Sequence, residues 1–443
     1  MDLSYMAELP QQDFQQRRQQ LLAQMQDNSA LLVFSAQECY RNADCAYPFR
    51  QDSYFWYLTG FNEPDSVLLL KKKGQSWQSV IFVRPSDPLM ETWNGRRLGV
   101  ENAAEKLLFD RAISVETLDS ELTKLLSGVT TLYYAEDIQP WGDKQVRKLL
   151  STMRKQSRQG IKVPLEQHCW RSLLDEMRLF KSDNEIRLIQ QAGQISALAH
   201  IRAMQQCRPN CFEYELGAEI VHEFSRFGAR FEAYTSIIAG GENACILHYT
   251  ENDMPLKDGD LVLIDAGCEF AMYAGDISRT FPVNGKFSQP QREVYQIVLE
   301  AEKKAIELLV NGSSIKLANE AVLRILVAGL VKLGILQGEV EQLIEDKAYL
   351  RFYMHGLGHW LGLDTHDVGD YGTQRDRLLA PGMVLTVEPG LYIPNAEDIP
   401  VQYRGIGIRI EDNLLITEYG NKNLTAAVPK EIDEIERLMQ GNI

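Results

Sequence analysis

Two aspartates stand where a strand pattern asks for apolar side chains. Residues 261–280 read LVLIDAGCEFAMYAGDISRT. The run Leu261 to Ile264 is a strand signature, and β-branched residues return at Ile277 and Thr280. A turn between Phe270 and Ala271 would set Asp265 directly opposite Asp276, with Cβ atoms roughly 5 Å apart. Carboxylates that close repel, so one must hold a proton or a divalent cation must bind both. A surface hairpin with two solvated acids is the alternative this stretch leaves open. The frame around Asp265, GDLVLIDAG at Gly259–Gly267, recurs as GMVLTVEPG at Gly382–Gly390, with Glu388 in the acid position. GIGIRIE at Gly405–Glu411 is another alternating strand that ends in a carboxylate. Each half of this region carries two acids on strands, as an internal duplication would. Between them HGLGHWLGLDTH, His355–His366, holds the densest histidine cluster in a chain with seven. Four carboxylates and one imidazole suit a pair of divalent ions better than a structural zinc. Two such ions, about 3.5–4 Å apart, can share a water or hydroxide and use it as a nucleophile.

The ordered set Asp265, Asp276, His359, Glu388 and Glu411 resembles the ligand set of the pita-bread metallopeptidases. The passages ILHYTE (Ile246–Glu251), YMHGLGHWLGLD (Tyr353–Asp364) and YRGIGIRIED (Tyr403–Asp412) carry the resemblance. FWYLTGFNEP (Phe55–Pro64) and WNGRRLG (Trp93–Gly99) extend it over essentially the whole chain. Within the family the chain is most similar to the bacterial aminopeptidase P branch. Prolidases, which act on Xaa-Pro dipeptides and can also act on organophosphates, are the neighbouring alternative.

The resemblance implies an α/β N-terminal domain at residues 1–175, used for oligomer contacts and for shaping the cleft mouth. It implies an α+β pita-bread catalytic domain at 176–443: a pseudo-twofold, curved antiparallel sheet with helix pairs outside. It further implies two divalent ions, manganese by preference, with cobalt, zinc or iron as substitutes. The implied reaction is hydrolysis of the first peptide bond of peptides with proline second, by a hydroxide bridging the metals, in a homodimer or homotetramer. Glu388 would bind metal and carry the proton from water to the leaving nitrogen. His248 and His366 would flank the substrate, bonding the scissile carbonyl and its oxyanion and handling protons near the proline nitrogen. His355 would support the site's hydrogen bonds.

Several of these residues also have plainer readings. His248 lies in an apolar strand context, where a lone histidine is more often a core residue. Arg409 shares a strand face with Glu411, and could pair with a ligand carboxylate or hold the substrate chain beyond proline. Tyr392 suits a site edge or the core equally. Asp260 and Asp412 point away on their strands, and Asp364 and Asp367 are expected to orient His366. A metal-free binding protein of this fold should lack ligands, and none is missing here.

The elements that must position these residues are legible in outline. Ser182 to Glu185 is a capping box that opens a helix to about Gln206. A second helix, Glu213 to Phe227, ends at Gly228, and a strand at Ser236–Ala239 follows. The order repeats with helices from Ser288 to about Val310 and from Ile315 to Leu333. Upstream, Phe14, Leu21, Leu22 and Met25 share a helix face. Strands are expected at Ser29–Ser35, Ser66–Lys71, Ser79–Val83 and Thr131–Tyr134, with helices at Glu116–Leu126 and Lys144–Lys155. At 443 residues the chain has room for two domains. A net charge of −15 argues against a nucleic-acid partner. Seven scattered cysteines without a CxxC pair suggest reduced thiols and a cytoplasmic protein. The polar N-terminus shows no signal peptide, and Arg324 and Lys332 interrupt the most apolar run, so no membrane span is expected.

Overall fold

The computed structural model describes residues 8–441. Residues 1–7, part of the N-terminus read above as lacking a signal peptide, and residues 442–443 lie outside it. The chain divides into two compact units, Glu8–Asp175 and the residues from Glu176 onward.

The first unit is built on a six-stranded mixed sheet. Its order is Arg111–Ser114, Ser76–Val83, Val67–Lys73, Ser29–Phe34, Thr131–Tyr133 and Glu166–His168. Ser29–Phe34 is central, antiparallel to Val67–Lys73 and parallel to Thr131–Tyr133. All six of its residues are buried, as its unbroken apolar run requires of a strand covered on both faces. The helices Leu118–Leu126 and Pro140–Lys155 contribute Leu122, Leu149 and Met153 to a core shared with Leu32, Leu69 and Phe82. The helix Gln11–Gln24 buries two cations that the apolar pattern does not announce. Arg18 donates to the carbonyls of Leu58 and Leu108 and lies 3.9 Å over the Phe109 ring.

The second unit opens with the helix Asp183–Gln206, whose capping box between Ser182 and Glu185 is formed as expected. It pairs with Glu213–Arg226, and Gln289–Leu308 pairs with Ile315–Lys332. The strand pairings of this unit are antiparallel throughout. The hairpin register differs from the sequence expectation. The turn consists of Ala271 and Met272, with φ of 49° and 74°, so Phe270 faces Tyr273 and Asp265 faces Ser278. Two positive φ values in a two-residue turn match the twist of the flanking strands. The shift is two residues, one full pleat, so Asp265 and Asp276 still share a face, as diagonal neighbours.

Candidate metal and active site

Backbone pairing brings the acids together. The strand Leu261–Asp265 lies between Ile237–Gly240 and Ser278–Pro282. Gly267 has no room for a side chain: a Cβ there would lie 1.7 Å from the Gly275 carbonyl oxygen. On the other half, residues 357–361 run antiparallel to 384–388. Glu388 N–H donates to Leu357 O, Thr386 N–H to His359 O, and Leu361 N–H to Val384 O. A Cβ on Gly358 would meet Thr386 O at 2.0 Å, so the glycines of the histidine segment serve close backbone approach. Glu411 N–H donates to Ser278 O, laying this segment beside the hairpin. The Asn413 amide completes the join, accepting from Asp276 N–H at 3.1 Å and donating to Asp276 O at 2.5 Å.

Asp276, His359 and Glu411 offer ligand atoms that all lie within 4.8 Å of one another. His359 Nε2 is 3.4 Å from Asp276 Oδ2 and 3.7 Å from Glu388 Oε1. Its Nδ1 lies 2.9 Å from Trp360 O; that carbonyl can only accept, so Nδ1 holds a proton and Nε2 is the ring atom turned to the acids. Asp265 joins through two partners. The Tyr234 hydroxyl is 2.6 Å from Oδ1 of Asp265 and 2.6 Å from Oδ1 of Asp276. One hydroxyl has one proton, so it serves only one of these oxygens at a time. Arg409 donates to Asp265 Oδ2 at 2.6 Å, to Ser278 Oγ at 2.8 Å and to the Tyr392 hydroxyl at 2.9 Å. Ser278 in turn donates to Glu411 Oε2 at 2.7 Å.

The electrostatics suit cations. Burial pushes the Glu388 carboxyl up to about 7, against the pull of His359 and Arg409 and with the push of Asp276 and Asp265. Burial and then Asp276, Glu388 and Asp265 drive Glu411 well above the carboxylate range. Burial alone would lower His359, but Asp276 and Glu388 carry it up to about 9. Four ionised acids against Arg409 leave a surplus of three negative charges, or of two with His359 protonated. The buried cluster draws protons for want of positive charge, and divalent ions remove that conflict. The donor set fits a metal centre.

The remaining expected residues fall around this cluster. His355 Nδ1 is 3.7 Å from Glu388 Oε2 and 2.8 Å from the Gly356 carbonyl, while its Nε2 is 2.8 Å from the Tyr392 hydroxyl. Burial and Arg409 hold it down to about 4, a neutral ring. Tyr392, 1% exposed, therefore belongs both to the core and to the site. The His366 ring stands edge-on to His359 at 4.4 Å. His248 lies close enough for its charge to act on His355 and His366. It sits on an exposed turn and not in a strand, because the chain leaves the sheet after Gly240. Asp367 does not reach His366 to orient it: it pairs with Arg178 at 2.6 Å and Lys181 at 3.0 Å. Both cations are buried and need a counter-charge. Asp364 also pairs with Arg178, at 2.8 Å. Asp412 points away as expected, onto Arg279 and Lys430. Tyr234, Ser278 and Asn413 escape sequence reasoning. Ser278 and Asn413 carry a weak signal as polar residues on otherwise apolar strands; Tyr234 carries none.

An oxygen-rich, duplicated, cation-seeking centre on antiparallel strands defines a metallohydrolase, and the comparisons place it. Residues 187–418 match the model of metallopeptidase family M24, and residues 14–133 match the N-terminal domain of aminopeptidase P. The chain belongs to metallopeptidase family M24, and its second unit has the expected pita-bread fold. It is 64% identical over 439 residues to the Xaa-Pro aminopeptidase of Haemophilus influenzae, covering 99% of this chain and 100% of the relative. It is 55% identical over 435 residues to the Xaa-Pro aminopeptidase of Escherichia coli, covering 98% and 99%. Zn-substituted Escherichia coli aminopeptidase P in complex with product matches with a TM-score of 0.97 at 54% identity, covering 98% of this chain and 99% of that one. Proline aminopeptidase P II from Yersinia pestis gives a TM-score of 0.97 at 55% identity, covering 98% and 100%.

Proposed function

We propose that this chain is a metallo-aminopeptidase that releases the first residue from peptides whose second residue is proline. The carrying observation is the convergence of Asp276, His359 and Glu411, flanked by Asp265 and Glu388, in a chain 64% identical to an Xaa-Pro aminopeptidase. These five side chains would hold two divalent cations. Their oxygen-rich character favours manganese, with cobalt, zinc or iron able to substitute. Bound there, the pair supplies Lewis acidity at the scissile carbonyl and makes a water acidic enough to act as nucleophile. Glu388 takes up the proton released in the attack and delivers it to the proline nitrogen, which as a tertiary amide has none of its own. The Thr386 hydroxyl, 3.4 Å from Glu388 Oε1, and the Glu388 N–H bond to Leu357 O hold that carboxylate in place. His248 and His366 donate to the carbonyl oxygen as it gains charge. Arg409 is fully engaged with Asp265, Ser278 and Tyr392. That supports the aminopeptidase reading over a prolidase, which needs a cation for the proline carboxylate.

A homo-oligomer joined through the first unit is supported by the helix Pro88–Asn94. It buries none of its residues and leaves Leu89 and Trp93 71% and 80% exposed. The seven free cysteines support a cytoplasmic location. Among the described residues no helix is long and apolar enough to cross a membrane. The deciding experiment compares an Xaa-Pro-Xaa tripeptide with an Xaa-Pro dipeptide on chelator-stripped protein, with and without manganese. Manganese-dependent turnover favouring the tripeptide is expected, lost with bound metal in Asp265→Ala and Glu411→Ala. Dipeptide preference makes the protein a prolidase, and full activity in either variant removes the dinuclear site.

A further inference from the structure

The loop that carries His248 is fastened to a buried carboxylate, and further along by Asn252, which accepts from Ile238 N–H and donates to Ser236 O, both at 2.8 Å. Residues 246–254 form neither helix nor strand, so no ladder fixes them. Glu213, the first residue of the helix Glu213–Arg226, is 0% exposed and faces this loop. Its Oε1 accepts from Gly240 N–H at 2.8 Å and from the Asn243 amide at 3.1 Å. Its Oε2 accepts from the Tyr249 hydroxyl at 2.8 Å and from Met254 N–H at 3.0 Å. The Glu213 N–H adds a bond to Met254 O at 3.0 Å. Of these four donors, Gly240 and Asn243 precede the loop, Tyr249 lies in its middle and Met254 at its end. A buried carboxylate satisfied by neutral donors alone is tied to their geometry, because no cation elsewhere compensates for a lost bond.

Tyr249 is the next residue after His248. Its ring belongs to a buried cluster that also holds Ile237, Ala239, Leu263 and Tyr392. Ile237 and Leu263 belong to the strands beside Asp265, and Tyr392 bonds His355 and Arg409. Tyr249 therefore ties the His248 turn to both halves of the candidate centre, and Glu213 fixes Tyr249.

We propose that Glu213, acting through Tyr249, positions His248 for the transition state of the peptidase reaction; this rests on the reading of His248 given above. Glu213 and Tyr249 touch the loop and not the reacting atoms, so they are positioning residues. Tyr249→Phe deletes the hydroxyl under a retained ring. Glu213→Gln replaces an accepting oxygen with an amide NH₂ aimed at donors. Each should lower kcat by about tenfold to a hundredfold with little change in KM or metal content, the loss typical of a misaligned site. A double-mutant cycle separates positioning from general damage. In a His248→Ala background, Tyr249→Phe should lower kcat less than about twofold, since nothing remains to position. Equal losses in both backgrounds, or wild-type kcat in Tyr249→Phe, overturn the proposal. Should Glu213→Gln fail to fold, Tyr249→Phe alone carries the test. If the wild type hydrolyses the tripeptide and His248→Ala does so equally well, the role of His248 falls and the proposal with it, while the peptidase assignment stands.

Discussion

His200 lends itself to a quantitative test of how the second unit responds to acid. It lies on the helix Asp183–Gln206, is 0% exposed, and its Nε2 sits 3.0 Å from the carbonyl of Ala266, the residue after Asp265. A carbonyl only accepts, so Nε2 carries the proton and the ring is neutral. Burial, the largest influence, and the nearby Arg279 charge lower its pKa from 6.5 to about 4, against the smaller pull of Ala266 O and Asp276. The unfolded chain thus binds a proton more readily than the folded one between these two values. His200 contributes its full stability above pH 6.5, and that contribution is lost as pH falls to 4. A shift of 2.5 units corresponds to about 3 kcal/mol. His200→Gln keeps a donor for Ala266 O but does not titrate. Urea unfolding of the two chelator-stripped proteins from pH 7.5 to 4 gives the comparison. The stability advantage of the wild type over the variant should shrink by about 3 kcal/mol, with nearly all of the change below pH 6.5. Parallel curves would refute the buried, neutral assignment, as would an imidazole resonance of His200 titrating near 6.5 in the folded protein.

Two further outcomes follow from the packing of the candidate centre. Gly358→Ala puts a Cβ 2.0 Å from Thr386 O, backbone against side chain, so the His359 segment must move. The expected result is a loss of about 1–3 kcal/mol of stability with reduced bound metal by elemental analysis, and full metal content would count against the pairing described. Arg409→Lys keeps the charge but cannot reach Asp265, Ser278 and Tyr392 together. Losing two charge-assisted bonds, each about 1.5–3 kcal/mol, should lower the unfolding temperature and kcat together, and an unchanged kcat would separate Arg409 from the reaction.

The acids were legible because ionised side chains on apolar strands are rare without a partner, and because Asp265 and Glu388 share a repeated frame. The starts of two helices were legible: Ser182 forms the capping box its sequence announces, and the helix expected from Ser288 begins there, also with a capping box. What failed depended on contacts remote in sequence. The hairpin register turned on Ala271 and Met272, neither a residue type that advertises positive φ. Asp367 looked local to His366, yet its partners Arg178 and Lys181 lie 189 and 186 positions away. The aromatic helix Ser53–Thr59 read only as a motif, because every one of its residues is buried and no polar face marks the period. His248 read as a strand residue because ILHYT has strand composition, whereas the strand ends at Gly240 and Tyr249, the next residue, is drawn to the carboxylate of Glu213.

The strands of the second unit also show why the candidate centre sits on one of their faces and not the other. Residues alternate in direction along a strand, so Ser278 and Glu411 face one way and Arg279 and Asp412 the other. On the second face Arg279 and Asp412 pair at 2.7 Å, and Lys430 bonds Asp412 at 2.7 Å and Glu302 at 2.6 Å. Two cations meet two acids there, and burial and Asp412 push Glu302 up to about 8, so it can also hold a proton. That layer sums to zero, or to +1 with Glu302 protonated, and is never negative. On the first face, Asp265, Asp276, Glu388 and Glu411 meet Arg409, and the sum is −3, or −2 with His359 protonated. Both layers are buried and hydrogen-bonded, so burial does not separate structural from functional charge here. Compensation does: a buried layer that closes its own charge is a fastening between strands, and one that leaves a negative surplus is built for cations from outside the chain.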